Sequence, residues 1–139
     1  MKPSYLLDTS VLSEPVVQRP NEKVLARLRR HQEQFATASP VWHELLFGAY
    51  RLPDSRRKRD LLRYFQEVVG RTVPILPYGE EAAAWHAEER ARLVSLGRTP
   101  AFVDGQIAAV AKTNDLVVVT RNVVDFSVFR GVRIEDWGR

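Results

Sequence analysis

The feature that most constrains the fold is the segment of residues 116–119, in which four consecutive residues are apolar. A strand that faces water on one side alternates apolar and polar residues, whereas an unbroken apolar run is typical of a strand buried on both faces. Sheets covered on both faces are mostly parallel, because helices connect parallel strands and pack on either side. The segment therefore predicts a parallel sheet between two layers of helices.

Strand-like segments alternate with helical patterns along the rest of the chain. The predicted strands are residues 4–7, 35–38, 72–76, 116–119 and 132–134, with Pro74 placing the third at an edge or in an irregular strand. The predicted helices are residues 21–34 with Asn21 as N-cap, a helix capped by Ser39 with Pro40 in first position, a helix capped by Asp54, residues 79–96 with Gly97 at C′, and a helix from Thr99-Pro100 to about Lys112. The alternation favours an α/β fold with a central parallel sheet, in one domain covering residues 1–139.

Composition excludes several classes of protein. The chain has no cysteine, which rules out a disulfide scaffold and a cysteine-based zinc site. The apolar stretch before Asp8 is only three residues long, so the start does not resemble a signal peptide. No apolar run approaches the roughly 20 residues that a membrane-spanning helix needs. We therefore expect a cytoplasmic protein with no membrane contact.

Basic residues are unevenly distributed in a chain whose formal net charge is +4. The densest set, here called the basic group, comprises Arg51, Arg56, Arg57, Lys58, Arg59 and Arg63. Such a group would attract a polyanion, but it is equally consistent with a solvated helix face.

Acidic and amide residues recur where predicted strands end or helices begin. Asp8 follows the first strand, Glu44 lies early in the helix after the second, Asp104 begins another helix, and Asn122 follows the apolar segment, with Asp125 close behind. In a parallel sheet these positions crowd together at one edge. Clustered carboxylates are costly without a cation, and an all-oxygen ligand set suits Mg²⁺ or Mn²⁺. The pattern predicts a hard-metal site.

Each of these residues also has a structural interpretation. Asp8 is as good an N-cap as a ligand, Asp104 would favour the helix dipole, and Glu44 could reach solvent from the edge of an apolar face. Asn122 and Asp125 suit a turn. A further set, His31, His43 and His86, lacks metal-ligand spacing, which indicates structural or exposed roles. Gly105 weakens its helix, which is easier to explain if another group approaches the backbone closely there.

Four segments in register resemble the PIN-domain ribonucleases, most closely the toxins of bacterial toxin–antitoxin pairs of the VapC and FitB type. The segments are residues 5–15, 39–49 around Glu44-Leu45, 101–109 with Phe102-Val103-Asp104-Gly105, and 119–126 with Thr120-Arg121-Asn122. Their order and separation match over nearly the whole chain, including the closing Asp136-Trp137.

The resemblance implies a PIN-like three-layer α/β/α domain and an endoribonuclease that uses Mg²⁺ or Mn²⁺ to activate water. It also implies a cognate antitoxin protein, a homodimer, and a heteromer with the antitoxin. Asp8, Glu44 and Asp104 fall on the family's acidic triad, with Asp8 and Asp104 as metal ligands. Asn122 occupies a fourth position where many relatives have Asp, so either Asn122 or Asp125 completes the site.

Rival functions are distinguished by single residues. A PIN-like module that binds nucleic acid without cleaving it would have a broken triad, and this triad is intact. A haloacid-dehalogenase-like phosphatase needs Asp-x-Asp, but Ser10 stands at the second position. A receiver domain needs an acidic pair after the first strand, where this chain has one Asp.

Overall fold

The computed structural model describes residues 2–139 and contains a five-stranded parallel sheet flanked by helices. Its strands lie in the order β3-β2-β1-β4-β5. They are β1 (Tyr5–Leu7), β2 (Phe35–Ala38), β3 (Ile75–Leu76), β4 (Val117–Val119) and β5 (Ile134–Glu135). The predicted fold class is confirmed. Because β1 is central and both of its neighbours run parallel to it, Asp8 leaves the sheet between the ends of β2 and β4.

Eight α-helices connect and flank these strands in the described residues. They are α1 (Thr9–Leu12), α2 (Glu22–Arg30), α3 (Ser39–Tyr50), α4 (Arg56–Arg63), α5 (Gly70–Thr72), α6 (Glu80–Ser95), α7 (Phe102–Thr113) and α8 (Val123–Phe126). A 3₁₀ turn covers Glu14–Val16, and a π-helical segment, Tyr64–Val69, joins α4 to α5. Among residues 2–139, no helix combines the length and apolar composition required to cross a bilayer.

The central strands are buried on both faces, as the unbroken apolar pattern predicts. Leu6, Leu7, Val118 and Val119 are completely inaccessible to solvent. Burial of four such side chains contributes on the order of 6–12 kcal/mol to the free energy of folding before entropy is counted. This rigid centre fixes the positions at which the adjoining residues leave the sheet.

Two predicted N-caps are wrong, and in both cases the true cap is an adjacent residue. Ser39 is the first residue of α3 rather than its cap; Ala38 is in that position, and the Ser39 hydroxyl instead accepts a hydrogen bond from the Tyr78 amide at 3.2 Å. Asp54 does not cap α4, because Ser55 accepts the Lys58 amide at 3.2 Å. By contrast, Asn21 caps α2 as predicted.

Other element boundaries differ from the predictions by a few residues. The edge position of β3 is confirmed, but only Ile75–Leu76 of residues 72–76 pairs with β2. The β5 strand starts two residues and ends one residue beyond the predicted 132–134. The α7 helix begins at Phe102, because residue 101 has the extended backbone of a cap. Gly97 has φ of 75°, and the amides of Gly97 and Arg98 bond back to α6, as expected for a glycine that ends a helix.

Candidate active site

Asp8 combines the two roles that its sequence position allows. One carboxylate oxygen accepts the Thr9 amide at 2.7 Å, which caps α1, and the other accepts the Thr120 hydroxyl at 2.8 Å. Its side chain is buried, and this burial raises the pKa of Asp8 above its usual range, while the hydrogen bonds from Thr120 and Thr9 oppose the change. The nearby charge of Glu44 adds to the increase. The carboxylate is therefore held in one orientation next to other negative charge.

Thr120 is a positioning residue that sequence reasoning missed. It follows β4 directly and is fully buried. Its hydroxyl donates to Asp8 and accepts the backbone amide of Asn122 at 3.0 Å, so it links the ends of two neighbouring strands. One sequence signal could have identified Thr120. It is a hydroxyl residue that directly follows an apolar strand, and that strand was predicted to share a parallel sheet with the strand before Asp8.

Asp104 is half-buried in the first turn of α7. Burial is the main cause that raises the pKa of Asp104 to about 6, and the nearby charges of Asp8, Asp125 and Glu44 contribute to this value in that order. These three carboxylates therefore lie within electrostatic reach of Asp104, as predicted for the edge of the sheet. The residues from separate elements therefore form one acidic cluster.

Gly105, next to Asp104, allows a close approach of His86. A Cβ atom at Gly105 would lie only 2.2 Å from Nε2 of the His86 imidazole. The imidazole is buried, and its Nδ1 is 2.8 Å from the Tyr78 hydroxyl, so both ring edges are occupied by the fold. The expectation that another group approaches the backbone here is confirmed, as is the structural role of His86. The imidazole packs α6 against α7 and thereby supports Asp104.

Glu44 lies on α3, half-buried, at the inner end of an open groove that Thr9 also lines. Neither Glu44 nor Asp104 takes part in an ion pair within residues 2–139. Glu44 lies at the edge of the apolar face of α3, so its carboxylate faces both the groove and the acidic cluster.

Asn122 and Asp125 both lie near the acidic cluster but contribute differently. Asn122 is exposed at the N-cap position of α8, and its side chain makes no capping hydrogen bond. Asp125 lies in the first turn of α8, and its charge raises the pKa of Asp104 more than the charge of Glu44 does. The assignment of Asn122 as the fourth residue stays a prediction.

Glu14 is a second residue that sequence reasoning missed. It is buried, accepts the Asn21 amide at 2.6 Å, and lies 3.6 Å from the Arg121 guanidinium. The Arg121 amide in turn bonds the Ser10 hydroxyl at 3.2 Å. These contacts fasten the chain after β4 to the segment after β1, so the two sides of the cluster keep their spacing.

The donor atoms of the cluster fit a hard divalent cation. Within residues 2–139, no three histidine, aspartate or glutamate side chains are close enough to enclose a metal ion by themselves. Magnesium, however, is commonly bound by one or two carboxylates together with water and substrate phosphate. Asp8 and Asp104 are suited to supply such a pair, since burial and then nearby negative charge raise the pKa of Asp104 to about 6.

Comparison with known proteins places these features in a family. The PIN domain model matches residues 5–130. The chain is 36% identical to Toxin FitB of Neisseria gonorrhoeae over 128 residues, which covers 87% of this chain and 89% of the relative. It is 29% identical to the tRNA(fMet)-specific endonuclease VapC of Shigella flexneri, with 96% of this chain and 97% of the relative covered.

Comparison of structures gives the same result. The crystal structure of FitAcB from Neisseria gonorrhoeae superimposes with a TM-score of 0.88 at 32% identity, covering 99% of this chain and 98% of the other. Agreement extends over both the sheet and its helices, and the matched region contains every member of the acidic cluster. The chain therefore belongs to the PIN-domain family.

Proposed function

We propose that this protein is a metal-dependent endoribonuclease that acts as the toxin of a toxin–antitoxin pair. The observation that carries the proposal is the acidic cluster itself, in which Asp8 is held by Thr9 and Thr120 at the end of β1 and Asp104 begins α7. Burial and the nearby charges of Asp8, Asp125 and Glu44 raise the pKa of Asp104 to about 6, which supports this arrangement. The names of the relatives, a toxin and a tRNA-specific endonuclease, supply the substrate class.

Asp8 and Asp104 are the residues that would hold Mg²⁺ or Mn²⁺. When bound, such a cation supplies positive charge to the scissile phosphate and lowers the pKa of adjacent water. Asp8 arrives at this place preorganised, since Thr9 and Thr120 fix both of its oxygens. Glu44 faces the same space from α3 and is suited to orient the attacking water and accept its proton.

The acidic cluster also explains how a partner protein would inhibit the enzyme. Burial of a carboxylate is favourable when a guanidinium or ammonium group pairs with it. A cognate antitoxin that places one basic side chain among these carboxylates would neutralise them and exclude the metal. We propose such a heteromer, built on a homodimer of this chain.

The test is cleavage of transfer RNA by the purified protein with Mg²⁺ or Mn²⁺, compared with Asp8→Asn and Asp104→Asn. We expect cleavage by the wild type, its loss in EDTA, its return with Mn²⁺, and its loss in both variants. Circular dichroism checks that the variants are folded. RNA binding without cleavage under any metal would support instead a PIN-like module that only binds nucleic acid, and full activity of both variants would refute the proposed site.

A further inference from the structure

An open groove leads away from the acidic cluster between α1, α3 and α4. Its volume is about 440 Å³, and it begins at Thr9 and Glu44 and ends at Arg51 and Arg57. We call it the α3–α4 groove. Arg51 follows Glu44 by two helical turns, roughly 10 Å, which is the length of about three stacked nucleotides. The groove thus joins Glu44 to two members of the basic group, Arg51 and Arg57.

A row of stacked side chains runs along α3 to its C-cap, and two of its members, Phe47 and Arg51, line the groove. The rings of His43 and Phe47 are 6.0 Å apart and nearly parallel, at 16°. The Arg51 guanidinium lies 5.9 Å from the Phe47 ring centre on the next turn. Phe47 is 53% exposed, although it is a large apolar residue beside a charged surface. Proteins that bind single-stranded nucleic acid use such exposed aromatic and guanidinium groups to stack bases.

The positive charge at the outer end of the groove is available to a ligand. Arg56 and Arg59, which flank it on α4, are within ion-pair distance of Asp60 and Asp54. Arg51 and Arg57 take part in no ion pair among residues 2–139. The basic group is therefore divided. Arg56 and Arg59 have acidic partners, whereas the Arg51 and Arg57 guanidinium groups that line the groove have none among residues 2–139.

Gly48 keeps the groove open beside Glu44. It lies one turn after Glu44 on α3 and lines the groove, and a Cβ atom there would meet nothing within 4 Å. Its backbone has ordinary helical geometry, since its φ is not positive. A side chain at this position would therefore begin without a clash at its Cβ, would extend into the groove and would also favour the helix.

We propose that the α3–α4 groove binds the RNA strand on one side of the scissile phosphate, with Phe47 stacking a base and Arg51 and Arg57 contacting phosphates. This assignment rests on the proposed function and adds a substrate subsite to it. Charge complementarity favours RNA as the occupant. The inner end carries the Glu44 carboxylate and opens towards the acidic cluster, where the scissile phosphate would lie, and the Arg51 and Arg57 guanidinium groups are suited to the following phosphates.

The test measures RNA affinity in the absence of cleavage. Asp104→Asn in EDTA serves as the parent, and fluorescence anisotropy follows a labelled single-stranded RNA oligonucleotide over a series of salt concentrations. We expect Phe47→Ala and Gly48→Leu to weaken binding about 5- to 30-fold. Arg57→Gln should weaken it several-fold and reduce the salt slope by about one.

Matched controls separate the groove from the rest of the surface. Arg63→Gln removes the same charge from the same helix outside the groove, and Tyr50→Ala removes an exposed ring from α3 outside the groove. Both should bind RNA within twofold of the parent. Gly48→Leu should keep or raise the melting temperature, so that its loss of binding does not reflect unfolding.

The outcomes distinguish this proposal from the proposed function. Wild-type cleavage together with parental RNA affinity in Phe47→Ala, Gly48→Leu and Arg57→Gln would overturn the groove and leave the function standing. Weakened RNA binding in these variants without wild-type cleavage would support the groove and overturn the function. If the variants bind RNA normally but lose a co-expressed partner protein, the groove belongs to that partner and the proposal is wrong.

Discussion

Two regions of this molecule bury carboxylates in opposite ways. At the acidic cluster, the pKa of Asp104 is raised to about 6 by burial and by neighbouring negative charge. On α6, Glu89 is also buried, but the Arg92 guanidinium donates to both of its oxygens, at 2.7 and 2.9 Å. Its hydrogen bonds with Arg92 are the main reason that the pKa of Glu89 lies below its usual value.

The difference separates a structural carboxylate from a functional one. Glu89 also accepts the Arg130 amide, so its partners tie α6 to the loop before β5 within the fold itself. Burial raises the pKa of Asp104, and its charged neighbours Asp8, Asp125 and Glu44 are all negative and raise it too. Under the proposed function, a metal ion would supply the missing counter-charge. Both carboxylates are buried, so the sign of the pKa shift distinguishes them where burial alone does not.

The largest expected effect follows removal of charge from the acidic cluster. Asp104→Asn should reduce the rate of RNA cleavage about a thousandfold, equivalent to about 4 kcal/mol of transition-state stabilisation. Its melting temperature should not fall, because no internal partner is lost. The measurement is single-turnover cleavage together with thermal unfolding. A variant that is inactive because it is unfolded would contradict the contrast with Glu89.

The opposite result is expected for the paired carboxylate. Glu89→Gln should lower the free energy of unfolding by about 2 kcal/mol, because the Arg92 guanidinium and the Arg130 amide lose a charged acceptor. The cleavage rate of the folded fraction should stay within twofold of the wild type. Urea unfolding and cleavage at low temperature check both parts. If Glu89→Gln is as stable as the wild type, water replaces the contacts of Glu89 with Arg92 and Arg130 without loss, which contradicts this prediction.

A smaller effect should appear in the pH dependence of stability without metal. Because the pKa of Asp104 rises from 3.8 to about 6 on folding, its ionisation opposes folding above pH 6 and costs nothing below about pH 4. At pH 7.5, Asp104→Asn should be more stable than the wild type by roughly 1 kcal/mol after solvent screening. The difference should shrink as the pH falls to 5.

Glu89 provides the control for that experiment. Its pKa is lowered on folding from 4.5, so its stabilisation is complete above that value and is lost only as the pH falls through its folded pKa. The deficit of Glu89→Gln should therefore stay constant between pH 7.5 and 5. A difference between Asp104→Asn and the wild type that is independent of pH would refute the electrostatic account of the cluster.

The smallest predicted effect concerns the fourth position of the cluster. Asn122→Asp adds one negative charge and should tighten Mn²⁺ binding about threefold, less than 1 kcal/mol. Asp125→Ala should reduce cleavage less than Asp104→Ala does. Calorimetric titration of Mn²⁺ and cleavage assays decide between the two residues. If Asp125→Ala is as inactive as Asp104→Ala while Asn122→Ala is normal, Asp125 is the fourth residue.

The fold and the members of the acidic cluster could be predicted from the sequence. Both depend on the pattern of apolar residues and on where polar residues lie relative to the ends of strands and the starts of helices. An unbroken apolar segment implies a strand buried on both faces, and the end of a parallel strand implies a shared edge. Asp8 followed from the end of its strand, and Asp104 from the helix start that Thr99-Pro100 marks. Gly105 could be recognised as a point of close approach, although the sequence did not name His86 as the group that approaches.

What could not be predicted depends on side chains that meet only in three dimensions. Glu89 looks like any acidic residue of an exposed helix until the Arg130 amide is placed against it. Thr120 reads as the end of a strand, and its hydroxyl gains a role only when β4 is paired with β1. The predicted cap at Asp54 failed because its neighbour Ser55 is equally able to cap, whereas Ser39 lies inside the first turn of α3 and its hydroxyl bonds the Tyr78 amide instead.

The two outer strands determine how this chain behaves towards other copies of itself. Each has only two paired residues, and β3 is enclosed by Pro74 and Pro77, which have no amide hydrogen to donate. Backbone addition of a further strand, the route to domain swapping and fibrous aggregation, therefore finds almost no template at either border. Short edges of this kind favour self-association through side chains over self-association through strand addition, so surface substitutions that leave the sheet untouched should be able to change its strength.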